Sequence, residues 1–176
     1  MLRIFELDEY IKKNQIEIPK NDEFEKLVNN LAYFQNAEGN NEITNLNYER
    51  GLLLYGLIKK YHPTNVLEFG TAKGFSTLCM AWAMSEVNDK GNIFTIDYIG
   101  YDQKILHHYK KSDQIHKKIA TRENLWQDVA PSSWLKNVKV LTGYGANVVS
   151  KNKFPKIQFF YIDAAHFYKG VKNDFF

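Results

Sequence analysis

The polar and apolar positions of this chain fall into two regimes. Over residues 1–62 the apolar positions recur at helical spacing. The stretch NDEFEKLVNNLAYFQNAEG sets Phe24, Leu27, Val28, Leu31 and Phe34 on one face, with Asn21 as a candidate cap and Gly39 as a candidate stop. NYERGLLLYGLIKKYHP repeats the pattern with Leu53, Leu54, Leu57 and Ile58. Pro63 ends that helix, because the residue before a proline disfavours the α region. From residue 63 onward the period changes. NVLEF, GNIFTIDYI, VKVLTG and IQFFYIDAA are short apolar runs without strict alternation, as expected of parallel strands covered on both faces. Between them, Ser76–Val87 and ANVVSK read as helices, residues 101–135 as helical pieces, and YKGVKNDFF as the start of another helix.

Strands alternating with helices predict an α/β fold, a doubly wound parallel sheet, with an N-terminal helical region before it. The expected division is residues 1–62 and residues 63–176. With about four strands the sheet is expected to be incomplete at the C-terminus. The edge of the Phe159–Ile162 strand would then invite pairing with another chain, giving a homo-oligomer.

Composition narrows the class without naming it. A net charge of +3 is too mild to indicate nucleic acid. Cys79 is the only cysteine, so no internal disulfide forms. Its apolar surroundings, STLCMAWAM, mark an inert core thiol and suit a reducing cytoplasm, the expected compartment. The opening MLRIFELDEYIKKNQ has no long apolar core of the secretory kind, and no apolar run approaches the roughly 18 residues of a membrane span. Trp82, Trp126 and Trp134 read as core residues.

VLEFGTAKGFST raises a sharper question: why two glycines and an acid at the end of a buried strand. In doubly wound sheets, ligands bind outside the carboxyl ends of the strands. Gly70 sits at such an end, where the missing Cβ admits positive φ and a close ligand. Gly74 lets the next helix pack close, and the free N–H groups of that helix start favour a polar or negative group. Glu68 points an acid at the same crevice. Asp97 ends the next strand, FTID, where a carboxylate suits ribose hydroxyls. The spacing Gly70-Thr-Ala-Lys-Gly74 lacks the close glycine pair of G-x-G-x-x-G, and no Gly-Lys-Ser/Thr marks a P-loop.

The pattern E-x-G-T-x-x-G-x-S-T resembles the first motif of class I S-adenosylmethionine-dependent methyltransferases. It is closest to small-molecule O-methyltransferases and cephalosporin-hydroxylase-like relatives. From about Tyr48 onward, GNIFTID resembles the ribose-binding motif, VKVLTGYGANVV the third strand, and IQFFYIDAAHFYKGVKNDF the segment FIDgdHsYegVk.D. The resemblance implies a Rossmann-like S-adenosylmethionine-binding domain over 63–176 and an enzyme that O-methylates a small-molecule acceptor. It implies that Gly70, Thr71 and Gly74 border the methionine part and Glu68 faces its amino-acid end. Phe75 and Ser76 lie by the carboxylate in that reading, and Asp97 holds the ribose with Tyr98 beside the adenine. Gly143, Tyr144 and Gly145 line the adenine pocket, and Asp163 lies near the methyl group. Ala72 stands where many relatives have glycine, and the relatives' later acidic strand would follow residue 176. The activity of these 176 residues alone is therefore open. So are two rival readings: a non-catalytic cofactor-binding or structural module, and an NAD or nucleotide-sugar enzyme with a degenerate glycine turn.

Asp163 and His166 stand three residues apart just past a strand. Asp163 is a candidate ligand for a divalent metal such as magnesium, and His166 a candidate base. His107, His108 and His116 read as a solvated face and His62 as turn chemistry. The basic run Tyr109–Arg122 reads as a solvated helix, with recognition of an anionic substrate as the alternative.

Overall fold

The computed structural model describes residues 6–19, 22–36, 43–45, 47–88, 90–112, 114–164 and 172. The first elements are α1 (Leu7–Lys13), α2 (Asp22–Leu31), a strand pair β1 (Phe34–Asn36) and β2 (Ile43–Asn45), and α3 (Tyr48–Tyr61). Helix α2 buries Phe24, Leu27, Val28 and Leu31, as its spacing predicts. It stops there, and Phe34 opens β1 rather than extending the helix. The candidate cap Asn21 and stop Gly39 lie outside the described residues. Helix α3 ends on His62, whose backbone is left-handed at φ 48°. His62 thus supplies the turn before Pro63.

The sheet follows. Strands β3 (Asn65–Phe69), β4 (Asn92–Asp97), β7 (Val138–Thr142) and β8 (Phe159–Ile162) pair in parallel in the order β7-β4-β3-β8. Helix α4 (Phe75–Val87) links β3 to β4, and α7 (Gly145–Lys151) follows β7. The chain builds outward from β3 through β4 to β7, then returns to the other side of β3 as β8. Gly70, just past β3, therefore stands at the point where the strand order reverses. That crevice is where α/β sheets bind ligands. The expected helix over YKGVKNDFF lies outside the described residues apart from Lys172.

One expectation is corrected. Residues 101–135 are not all helical pieces. Ile105–Lys111 (β5) and Gln114–Ala120 (β6) form an antiparallel hairpin, and helices follow only at α5 (Arg122–Val129) and α6 (Ser132–Leu135). The run Tyr109–Arg122 is therefore mostly strand. Ser112, with φ 48°, takes the left-handed conformation that a tight hairpin turn needs.

Burial joins the two halves of the chain. Phe24, Leu27, Leu31, Leu54 and Ile58 from α2 and α3 share one hydrophobic cluster with Leu78, Met80 and Trp82 of α4, Leu125 and Trp126 of α5, and Trp134 of α6. All three tryptophans are core residues, and Trp82 stacks on Trp134 with ring centroids 5.0 Å apart. Cys79 is buried there too, and burial pushes its thiol pKa up, which keeps it inert. No helix among the described residues is long and apolar enough to cross a membrane.

Because Leu27 lies in that shared cluster, Leu27→Ala should cost about 2–5 kcal/mol of unfolding free energy. Denaturation should remain a single transition. Two separate transitions would show that residues 1–62 fold apart from the sheet.

Candidate functional site

The carboxyl ends of β3 and β8 and the first turns of α3 and α4 surround a small cleft lined by Tyr33, Arg50, Gly70, Thr71, Ser76 and Asp163, among others; the end of β4 lies beside it. Its floor is the turn from Gly70 to Gly74. The turn is bent by three left-handed residues: Gly70 at φ 94°, Ala72 at φ 48° and Gly74 at φ 92°. Gly70 N–H donates to Ile96 O at 2.8 Å, and Gly74 N–H donates to Thr71 O at 2.7 Å. The close approaches to these glycines come from the protein itself. A Cβ on Gly70 would lie 2.2 Å from the carbonyl oxygen of Asp163, and one on Gly74 would lie 2.1 Å from the indole nitrogen of Trp126. The side of Gly70 on which a Cβ would project is thus filled by the end of β8, while Gly70 still lines the cleft. Gly74 admits α5 rather than only its own helix.

Glu68 is fully buried beneath the turn. The hydroxyls of Ser76 and Thr77 donate to its two oxygens, and Thr95 Oγ1 donates to Oε2 at 2.6 Å. Since Thr95 spends its one hydrogen there, Thr71 is the donor in the 2.6 Å contact between the two threonine hydroxyls. Burial pushes the Glu68 carboxyl above the usual range, against the pull of the three hydroxyls. The expectation that Glu68 faces a ligand's amino-acid end is corrected. It sits inside and ties β3, β4 and the first turn of α4 together. Phe75 is likewise buried, 6.0 Å from the Phe24 ring, with only its margin on the cleft.

Asp97 stands at the end of β4, where its strand position predicts. Ala72 N–H donates to Oδ2 at 2.7 Å and Ile99 N–H to Oδ1 at 2.9 Å. Arg122 closes the same arrangement from the other side. Its Nε donates to Ala72 O at 2.8 Å, its Nη1 donates to Ile99 O at 3.1 Å, and its Nη2 lies 3.4 Å from Asp97 Oδ2. The two residues that donate to the acid accept from the base. Arg122 is 1% exposed and Asp97 7%. Burial works against the guanidinium's charge, and Asp97 is the strongest influence restoring it.

Arg122 is a residue that sequence reasoning missed. It was read as the end of a solvated basic run. Thr121, which caps α5 by accepting from Asn124 N–H at 3.1 Å, was the available sign of a helix start there. His107 is a second correction. It is 2% exposed, not solvated, and its Nε2 lies 3.1 Å from Ala120 O across the hairpin. Lys73 is a further buried ionisable residue. Its ammonium donates to Ala32 O and, at 3.0 Å, to His108 O, so it ties the glycine turn to α2 and the hairpin. Burial lowers its pKa to about 8.

At the end of β7, Gly143 N–H donates to Asp97 O at 2.8 Å, with φ 144°. Gly145 lies against Phe69, where a Cβ would come within 2.5 Å of the ring. Tyr98 and Tyr144 are 68% and 71% exposed, and their rings face each other at 6.4 Å and 14°. Across the cleft, Asp163 is paired with the guanidinium of Arg50. His166 lies outside the described residues. A metal at Asp163 does not fit this arrangement. Among the described residues no group of three histidine, cysteine or acidic residues forms a metal site, and the partner beside the Asp163 carboxylate is a guanidinium rather than a second acid.

The methyltransferase domain family matches residues 67–176. The chain belongs to that family. Its fold is found again in methyltransferase PaMTH1 of Podospora anserina, solved with S-adenosylhomocysteine bound. That protein is 15% identical, over 98% of this chain and 65% of that one, with a TM-score of 0.54. O-methyltransferase TomG of Streptomyces achromogenes, involved in tomaymycin synthesis and solved with S-adenosylmethionine, is 15% identical. The match covers 92% of this chain and 63% of that one, with a TM-score of 0.51. This methyltransferase domain thus spans under two thirds of either chain. No curated protein matches it.

Two outcomes follow from the buried charges. Arg122→Met leaves Asp97 buried without its cation and should cost about 3–5 kcal/mol. Adding Asp97→Asn should recover part of that loss, whereas strictly additive losses in chemical denaturation would contradict the coupling. Lys73 has a folded pKa of about 8, below the ordinary lysine value of 10.5. The unfolded chain therefore holds more protons between those values, and stability should rise with pH there. From about pH 7.5 to about pH 9.5 the wild type should gain on the order of 1–2 kcal/mol relative to Lys73→Met. Parallel curves would contradict a buried charged amine.

Proposed function

We propose that the chain binds S-adenosylmethionine in this cleft and moves its methyl group to an oxygen of a small molecule. The observation that carries the reading is Asp97. Its carboxylate is fixed at the carboxyl end of β4, beside the glycine turn at the reversal of strand order. Oδ1 takes one backbone N–H and keeps a lone pair for a ribose hydroxyl, while Oδ2 takes Ala72 N–H and also faces Arg122. Gly143, Tyr144 and Gly145 follow on β7, one strand over, where the adenine would lie. The exposed rings of Tyr98 and Tyr144 offer stacking surfaces there. The methionine part would run over Gly70, Thr71 and Gly74 toward Asp163, past the first turn of α4 at Phe75 and Ser76.

Methyl transfer is a direct displacement at carbon, so the protein's main task is alignment of the acceptor oxygen with the methyl group. His166 is the proposed group for taking the acceptor's proton, with Asp163 beside the methyl group. No step runs through a metal. The β8 strand carries the half-exposed Phe160, and as an outer strand among the described residues it suits pairing with a second copy.

Calorimetry with S-adenosylhomocysteine tests the reading. Asp97→Asn keeps the shape and removes the charge, and should weaken binding by about 1.5–3 kcal/mol. Unchanged affinity in a folded variant, or wild-type preference for NAD, would contradict it.

A further inference from the structure

We propose that Arg50 is the receptor for the carboxylate of the cofactor's amino-acid end. The Arg50–Asp163 ion pair is then a preset zwitterion site that the ligand opens by exchange. The proposal rests on the reading that an S-adenosyl cofactor occupies this cleft.

Arg50 comes from the first turn of α3 and Asp163 from the end of β8, and both line the cleft beside Gly70 and Thr71. An ammonium and a carboxylate joined to one carbon present the same two charges in reverse. The ligand carboxylate would take Asp163's place on Arg50, and the ligand ammonium would take Arg50's place at Asp163. The two partners differ in freedom. Asp163 is anchored through its own N–H, which donates to Phe69 O at 2.8 Å. Arg50 reaches in on a long side chain that is 41% exposed. A pair this open to water holds weakly, so exchange costs little. A planar guanidinium fork also suits two-oxygen recognition better than any other side chain.

The neighbouring donors are committed elsewhere. Lys73 is buried on two backbone carbonyls, and Arg122 is spent on Asp97, Ala72 and Ile99. The Ser76 hydroxyl, the nearest neutral candidate on α4, donates to Glu68. Among the described cations around this cleft, Arg50 is the one whose side chain is open to solvent.

The test compares two ligands on one protein. S-adenosylhomocysteine carries the amino-acid end, and methylthioadenosine keeps the adenosine and sulfur without it. Calorimetry on the wild type should show tighter binding of S-adenosylhomocysteine. Arg50→Met should weaken that binding by about tenfold or more while leaving methylthioadenosine within about twofold. Arg50→Lys, which keeps the charge without the fork, should fall between. If Arg50→Met binds both ligands as the wild type does, or loses both equally, the assignment of Arg50 is overturned and the cofactor reading stands. If the wild type binds neither ligand, the cofactor reading itself is overturned, and the assignment with it.

Discussion

The buried pair of Asp97 and Arg122 fixes the shape of everything above it. A carboxylate and a guanidinium removed from water each carry a large desolvation cost, which only close partners offset. Here those partners are the backbones of Ala72 and Ile99, each giving its N–H to the acid and its C=O to the base. One peptide belongs to the glycine turn after β3 and the other to the loop after β4. The pair therefore locks two adjacent strand ends to each other. Ala72 is held in a left-handed conformation that a residue with a side chain rarely adopts, and this lock is what holds it there.

A second polar layer lies beneath the first. Glu68 gathers hydroxyls from α4 and β4, with Thr71 reaching it through Thr95. The turn is thus held from below by an acid and from the side by an acid–base pair. Trp126 fills the space over Gly74 and donates its indole N–H to Lys73 O at 2.9 Å. Helix α5 supplies both Trp126 and Arg122, so it is as much a part of the site as the strands. The site's rigidity comes from these buried contacts. Arg50, Tyr98 and Tyr144 are by contrast open to solvent, and with the Asp97 carboxylate they are the groups proposed to meet a ligand.

Much of the fold was legible because parallel strands and their helices are written locally. NVLEF, FTID and FFYI are apolar runs closed by a turn residue or an acid, and each became a strand near its expected bounds. The position of Asp97 at the end of β4 was legible for the same reason. The β5–β6 hairpin was not. Its inward face carries His107, Tyr109, His116 and Lys118, while Leu106 and Ile119 point outward at 55% and 72% exposure. That inverts the apolar-in pattern on which strand reading rests. Arg122 was hidden because its partners stand 23 to 50 residues away in the chain. Glu68 was placed on the right strand end but on the wrong side of the turn. Only the three hydroxyls converging from α4 and β4 reveal that it faces inward.

The most direct test of the account is the structure of the protein in complex with S-adenosylhomocysteine. The account predicts that both ribose hydroxyls lie about 3 Å from the Asp97 carboxylate, with Arg122 still on Ala72 and Ile99. A nucleoside bound away from the ends of β3 and β4, with Asp97 untouched, would contradict it.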